Sequence, residues 1–215
     1  MDKKNTMLLS VIAVATLLVA VVGATFAFFT AQNSAAGTTT VTTTTETIGA
    51  VSVTNPTAAM KIKLAAADMD EASKTAQYWA TAGAGNYVGS AEHAIVGQLG
   101  ITGGVETTVY NCSYTMNITK PTEIKANDMT IVFTTVEDDD TTVSIEGVTS
   151  GAEIDLFNAA SSYKVEFTRT GNATEVPLVK AAVKLTNTTV EQNYFAGKTM
   201  ITSVENTGMS CTIAE

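Results

Sequence analysis

Apolar and polar side chains alternate along most of the chain after residue 105. The stretch Glu106–Thr119 shows the pattern clearly, because every second residue from Tyr110 to Ile118 is aromatic, apolar or cysteine and the residues between them are polar. Successive side chains of a β-strand point to opposite faces, so this alternation predicts strands with one buried face. The other predicted strands are Ala94–Ile101, Met129–Val136, Thr141–Val148, Ala152–Phe157, Ser162–Thr170, Val176–Asn187, Gly197–Asn206 and Ser210–Glu215.

Turn residues separate these strands. They occur at Asp138–Asp140, Ser150–Gly151, Gly171–Asn172 and Gly208. Short alternating strands at a spacing of about ten residues are typical of antiparallel sandwiches and barrels, whereas the strand–helix alternation of a parallel sheet is missing from the sequence. We therefore predict an all-β fold, an antiparallel β-sandwich of jelly-roll-like type with one short helix.

The predicted helix lies in an alanine-rich segment that interrupts the strand pattern. Asp68 and Glu71 have the spacing of a capping box, and Ala76 and Trp79 fall on one face at helical spacing. The pattern predicts a helix at Met69–Ala82 that packs over an edge or an end of a sheet.

The N-terminal segment is continuously apolar. Lys3 and Lys4 precede Met7–Phe29, which contains no charged residue and is long enough to cross a bilayer as a helix. The same layout is that of an export signal, and small residues around Ala27 suit a cut after that position. Both interpretations place the chain after Phe29 outside the cell, and they differ on whether the apolar helix is retained.

A threonine-rich stretch follows. Eight of the ten residues from Thr38 to Thr47 are threonine, and no charge occurs between Lys4 and Glu46. β-Branched residues favour extended backbone, which predicts a strand here. Three interpretations stay open: a flexible stalk, a strand that pairs with another molecule, and an ordinary first strand of the sandwich.

These segments define the predicted organisation of the chain. Residues 1–28 form a signal peptide or membrane helix, residues 29–48 form an N-terminal arm, and residues 49–215 form the sandwich domain. The N-terminal arm is the candidate donor strand, and Phe29, Val41 and Ile48 are its candidate donor residues.

Composition narrows the class of partner. The chain of 215 residues carries a formal net charge of −9, and only 15% of its residues are charged, against about 25% in an average soluble protein. A net negative chain is a poor match for the phosphates of nucleic acid or for an anionic membrane surface. We therefore expect no nucleic-acid partner, and membrane contact only through the N-terminal segment.

The two cysteines, Cys112 and Cys211, lie far apart in sequence and in no CxxC motif. If the chain is exported to an oxidising compartment, a disulfide between them is the natural pairing, and two buried free thiols are the alternative.

Residues for catalysis or metal binding are scarce. The only histidine, His93, is not part of an HExxH motif, and neither a GxSxG elbow nor a phosphate-binding loop occurs. The acidic run Glu137–Asp140 fits a solvated hairpin turn better than a calcium site shared with another loop. We predict no catalytic residue, no metal ligand and no cofactor, and therefore no enzyme.

One part of the chain resembles a known family. The stretch Lys3–Gln32, with "GATFAFFT" at Gly23–Thr30, resembles signal peptides processed by the SipW type of signal peptidase. Proteins with such signals include the TasA and camelysin family of bacterial surface and biofilm-matrix fibre subunits, and the tail Asn193–Cys211 is of the general kind found in them. The resemblance implies cleavage after Ala27 or Phe28, with signal peptidase as a partner.

The resemblance and the free N-terminal arm together suggest a function. We expect an exported bacterial protein, extracellular or at the cell surface, that forms a structural fibre or biofilm matrix by head-to-tail strand donation between copies of itself. The alternative is a membrane-anchored pilin-like or adhesive protein that keeps its N-terminal helix. A secreted camelysin-like peptidase is disfavoured because the metal motif is missing.

Overall fold

Strands form where the sequence alternates. The computed structural model describes residues 38–43, 46–57, 59–65, 76–83, 85–188 and 192–214, and the predicted signal segment with Ala27, Phe28 and Phe29 lies outside them. The described strands are β1 (Thr38–Thr43), β2 (Glu46–Thr54), β3 (Ala59–Lys63), β4 (Gln77–Trp79), β5 (Ala94–Thr102), β6 (Val109–Thr119), β7 (Met129–Thr135), β8 (Thr141–Ile145), β9 (Glu153–Asp155), β10 (Ser162–Thr170), β11 (Ala173–Thr186) and β12 (Thr199–Ile213).

The strands form two antiparallel sheets. Sheet A has the order β1-β2-β5-β11-β7-β9, and β4 pairs in addition with β11; sheet B has the order β3-β12-β6-β10-β8. This architecture is the predicted antiparallel sandwich, while the finer jelly-roll assignment stays a prediction. All described residues belong to one compact unit, Ala36–Glu215.

The core lies between the sheets and follows the alternation of the sequence. In β6 the side chains of Tyr110, Cys112, Tyr114, Met116 and Ile118 are all buried, and the residues between them are half-buried or exposed. From sheet A, Ile131, Phe133 and Leu185 are completely buried. The predicted division of β6 into a buried and a solvent-facing side is therefore confirmed.

Hydrogen bonds join the two sheets at one corner. The backbone N–H groups of Lys61 in β3 and of Thr81 each donate to the carbonyl of the other at 3.0 Å, and the N–H of Ala80 donates to the carbonyl of Val183 in β11 at 2.7 Å. The chain after β4 therefore bonds to both sheets, and this corner of the sandwich is closed.

The predicted helix at Met69–Ala82 is wrong over its described part. Residues 69–75 lie outside the described residues, and Gln77–Trp79 form β4, which pairs with Thr186–Lys184 of β11. Tyr78 is buried, and the Lys184 ammonium lies 5.3 Å from the centre of the Trp79 ring. Pairing with a long neighbouring strand outweighs the modest helix propensity of the local sequence. No helix in the described part of the chain is both long and apolar enough to cross a bilayer.

The last two predicted strands are one strand. β12 runs through the predicted turn at Gly208, and its pairing with β6 shifts between Thr207 and Ser210. Gly208 has a φ of +65°, a conformation that glycine adopts without steric cost. The glycine therefore marks a β-bulge rather than the end of a strand.

A buried polar network holds the segment before β12. The carboxylate of Asp128, itself buried, accepts hydrogen bonds from the Gln192 amide at 2.8 Å, the Tyr194 hydroxyl at 2.7 Å and the Lys125 backbone N–H at 2.6 Å. Burial, together with the Asp128 carboxylate, raises the pKa of Tyr194. The hydrogen bond from the Tyr194 hydroxyl to Asp128 positions the chain before it enters β12.

Tyr114 and Gly97 make a close contact across the sandwich. The Tyr114 hydroxyl is buried and has no hydrogen-bond partner among the described residues, and burial raises its pKa. A Cβ placed on Gly97 would lie 2.4 Å from that oxygen but 3.4 Å from the ring carbon that carries it. The tyrosine therefore needs a residue without a side chain at position 97.

We expect Gly97→Ala to destabilise the fold by about 1–3 kcal/mol, because the added methyl group collides with the Tyr114 hydroxyl. Tyr114→Phe removes a buried, unpaired hydroxyl and should be neutral or stabilising by about 1 kcal/mol. In the double variant, the cost of Gly97→Ala should largely disappear. Urea unfolding of the four proteins measures this coupling, and an equal cost of Gly97→Ala in both backgrounds would contradict the contact.

Candidate functional site

The N-terminal arm ends in a hairpin within its own chain. β1 pairs with β2 over six residue pairs, from Thr38 opposite Ser52 to Thr43 opposite Glu46. Val41 lies opposite Gly49, the next pair is Thr42 with Thr47, and the candidate donor residue Ile48 therefore lies in the bulge between these pairs. The structure thus brings Val41 and Ile48 close together, while Phe29 lies outside the described residues.

Gly49 fixes the base of this hairpin. Its φ is +139°, and a Cβ at this position would lie 3.0 Å from the carbonyl oxygen of Thr102 and 3.1 Å from the amide nitrogen of Gly104. Only glycine combines this conformation with such a close approach of two backbones. The backbone of β2 at Gly49 therefore packs closely against the backbone at the end of β5. β2 also pairs with β5 from Ala50 to Thr54.

β1 has fewer strand neighbours than β2, which pairs with both β1 and β5. It is the terminal strand of sheet A, and β2 is its only strand neighbour among the described residues. A strand with one neighbour leaves backbone groups along its other side for water or for another chain. The predicted arm is thus attached to the sandwich through a single ladder of hydrogen bonds.

β12 offers a second one-sided edge. β3 pairs with β12 only from Thr199 to Ser203, whereas β6 pairs with it from Ser203 to Ile213. Beyond Ser203, β12 therefore has a strand partner on one side only within the described part of the chain. Cα atoms of β1 and β2 come within 8 Å of Cα atoms of β12, so the β1–β2 hairpin lies near β12.

Two asparagines tie β12 to sheet A near this edge. The Asn55 amide donates to the carbonyl of Val204, and the Asn206 amide donates to the carbonyl of Val96 at 2.7 Å. Asn206 continues the phase of the buried residues Met200, Thr202 and Val204. A polar residue at a position where the alternation expects a buried apolar one indicates a buried hydrogen bond. Asn206 carries this signal in the sequence, and we did not predict its role.

The predicted disulfide between Cys112 and Cys211 is present. The two residues lie directly opposite each other in β6 and β12, with their Cα atoms 4.1 Å apart. The bond crosses the part of β12 that has only one strand neighbour. It therefore holds that edge against β6 and keeps it extended.

An arginine pairs with two carboxylates of the acidic turn between β7 and β8. Arg169 in β10 places its guanidinium 3.3 Å from Asp138 and 4.0 Å from Asp140, and it donates to the Thr141 hydroxyl at 2.7 Å. No group of three or more histidine, cysteine, aspartate or glutamate side chains suited to a metal ion occurs among the described residues, which include this turn. The run Glu137–Asp140 therefore forms a hairpin turn whose counter-ion comes from the same chain.

The charge of Asp138 supports this turn. Burial opposes its ionisation, but hydrogen bonds from Thr141 and Asp140 and the charge of Arg169 outweigh burial, and the pKa of Asp138 lies below its ordinary value of 3.8. Because the folded-state pKa is the lower one, the stabilising contribution is complete above the ordinary value. It is lost as the pH falls through the folded-state pKa.

We therefore expect Asp138→Asn to be less stable than the parent near neutral pH, by a small amount because the carboxylate is half exposed. The difference between the two proteins should shrink below a pH of about 4 and vanish in stronger acid. Urea unfolding at several pH values measures it. A difference that stays constant down to the lowest pH would show that the charge of Asp138 is unimportant.

His93 lies exposed in the loop before β5. No group of metal-ligating side chains occurs among the described residues, His93 included.

The chain was compared with known proteins at three levels. No family model, curated protein or solved structure matches it. The resemblance of Lys3–Gln32 to SipW-type signals therefore stays a prediction that rests on those residues alone.

Proposed function

We propose that this protein is an exported structural subunit that assembles head to tail, each subunit exchanging its N-terminal strand with the next. The observation that carries the proposal is the position of β1. It is an edge strand with a single strand neighbour in the described chain, and it lies near β12, which has a one-sided stretch after Ser203.

The edge of β12 has the features of an acceptor. An incoming strand could pair with β12 beyond Ser203, where β3 no longer accompanies it. Such β-strand addition gains affinity from backbone hydrogen bonds. The Cys112–Cys211 bond and the Asn55 and Asn206 hydrogen bonds keep β12 in place before the strand arrives. The acceptor would therefore lose little conformational entropy on binding.

The N-terminal arm has the features of a donor. Its sequence carries no charge before Glu46, so it could enter an apolar groove without burying an ion. Cleavage after Ala27 or Phe28, as the signal resemblance implies, would release it from the membrane. A subunit that gives its strand to the next one can still accept a strand from the one before, so the contact need not close on itself and a filament can result.

The proposal is tested with two forms of the exported chain, one starting at Phe29 and one starting at Gly49. We expect the longer form to polymerise and the shorter form to stay monomeric, because it can accept a strand but has none to give. Added in small amounts, the shorter form should also stop growth of the longer one. Equal polymerisation of both forms, measured by sedimentation and electron microscopy, would refute strand exchange.

The anchored alternative has one specific observation in its favour, the unusual length of the uncharged segment Met7–Phe29. Mass spectrometry of the protein from its native cells distinguishes the free exported subunit from the membrane-anchored protein. An N-terminus at Phe28 or Phe29 supports the free subunit, and an intact Met1 supports a membrane-anchored surface protein.

A further inference from the structure

The outer face of sheet B contains a hollow that borders the one-sided part of β12, since Ser210 and Thr212 line it. It has a volume of about 570 Å³ and lies over β6, β8, β10 and the end of β12. Side chains that carry hydroxyl, amide or carboxylate groups line it, among them Asn111, Ser113, Thr142, Glu166, Thr168 and Thr212.

The strand register arranges these groups in rows. Thr142, Thr168, Asn111 and Thr212 lie opposite one another across four adjacent strands, and Ser144, Glu166, Ser113 and Ser210 form the next row. Adjacent strands are about 4.8 Å apart, and residues on one face repeat about every 6.8 Å along a strand. The hollow therefore presents a regular grid of hydrogen-bonding groups on a surface made rigid by the sheet.

Two local features shape the hollow. The β-bulge at Gly208 shifts the register of β12 just before Ser210 and increases the local twist. Glu137 also lines the hollow, and its carboxylate accepts a hydrogen bond from the backbone N–H of Val143 at 3.3 Å. The hydroxyls of Thr142 and Thr168 are hydrogen-bonded to each other at 2.5 Å, which orients both.

The chemistry of the lining selects the class of ligand. The only charged side chains are Glu137 and Glu166, and the second is paired with Lys164 at 2.5 Å. Carboxylates repel phosphate and acidic polymers. The apolar side chains of Val143 and Phe167 are buried, so they offer little surface to a ligand in the hollow. The lining therefore offers neutral donors and acceptors together with the carboxylate acceptors of Glu137 and Glu166. This set complements a molecule that carries many neutral hydroxyl groups.

We propose that this hollow binds a neutral glycan. The sugar hydroxyls donate to the carboxylates and to the Asn111 amide oxygen, and they accept from the serine and threonine hydroxyls and from the amide nitrogen. The lining residues all belong to one chain, so binding does not require polymerisation and can be measured on the monomer.

The test is calorimetry and amide chemical-shift mapping of the protein with cellohexaose, maltohexaose and chitohexaose. We expect at least one of these probes to bind and to shift amide signals of β6, β8 and β10. Thr168→Val keeps the shape of the side chain and removes its hydroxyl, and should weaken binding roughly three- to tenfold. Thr199→Val, on exposed β12 surface at the far end of sheet B, is the matched control and should leave binding unchanged.

Three results would overturn the proposal. The first is the lack of binding by all three probes at millimolar concentration. The second is an equal effect of Thr168→Val and Thr199→Val. The third is a calcium titration that shifts the amide signals of β6, β8 and β10 when the glycans do not. Loss of these calcium-induced shifts in Glu166→Gln would show that the hollow is a cation site.

Discussion

Val41→Pro is expected to slow fibre growth by about tenfold or more while the sandwich stays folded. Proline has no backbone N–H and cannot donate to a strand ladder, so it is tolerated in sheets mainly on edge strands. In the free subunit, Val41 lies in β1, an edge strand with one neighbour in the described chain. In the proposed fibre, the same strand would be inserted next to β12, where a missing donor leaves a buried carbonyl without its partner.

The control for this prediction is Val41→Thr. Threonine keeps the N–H and the β-branched shape, so fibres should grow at the parent rate. Thermal unfolding of the monomers checks that the sandwich is intact in both variants. If Val41→Pro polymerises as fast as Val41→Thr, the strand does not enter a neighbouring sheet, and the threonine-rich stretch is a stalk or an ordinary edge strand.

Loss of the disulfide is expected to cost about 4 kcal/mol of stability. Cys112 and Cys211 are 99 residues apart, and in the chain-entropy model a loop of that length restricts the unfolded chain by roughly this amount. For a chain of this size, a change of 1 kcal/mol shifts the midpoint of thermal unfolding by about 2–4 °C, so the double variant Cys112→Ala/Cys211→Ala should unfold roughly 8–16 °C lower.

Two controls accompany the disulfide prediction. The parent protein, unfolded without reductant, should show no free thiol, and the parent in reductant should unfold close to the double variant. Substitution of the adjacent, outward-facing Ser113 by Ala should have little effect. A parent protein that titrates with two thiols, or a double variant as stable as the parent, would contradict a structural role for the bond.

The period-two alternation was sufficient to predict the sandwich. In β6 it identified the buried residues because a half-buried strand has a strict inside and outside. It also placed Cys112 in a strand and Cys211 in the last alternating stretch, which made their pairing plausible before the structure located them opposite each other. These predictions succeeded because they depend on local sequence and on one buried face.

Long-range pairing was not predictable in the same way. The segment Gln77–Trp79 has local helix signals, and only the neighbouring β11 makes it a strand. The sequence likewise contains no local sign that β12 continues through Gly208, that β3 accompanies it only to Ser203, or that Arg169 reaches the acidic turn. Each of these features depends on residues distant in sequence, whose register is set when the sheets assemble.

The order of strands in sheet B has a consequence for export. β12 lies between β3 and β6, although it is the last strand of the described chain to be synthesised. Until β12 is available, β3 has no place in sheet B, β6 lacks one of its two neighbours, and Cys112 has no partner. A chain that emerges from the ribosome and passes directly into a translocation pore would therefore stay unfolded and threadable through most of its transit. If the chain is exported as proposed, completion of the fold would be delayed until the final strand reaches the side of the membrane where thiols can be oxidised.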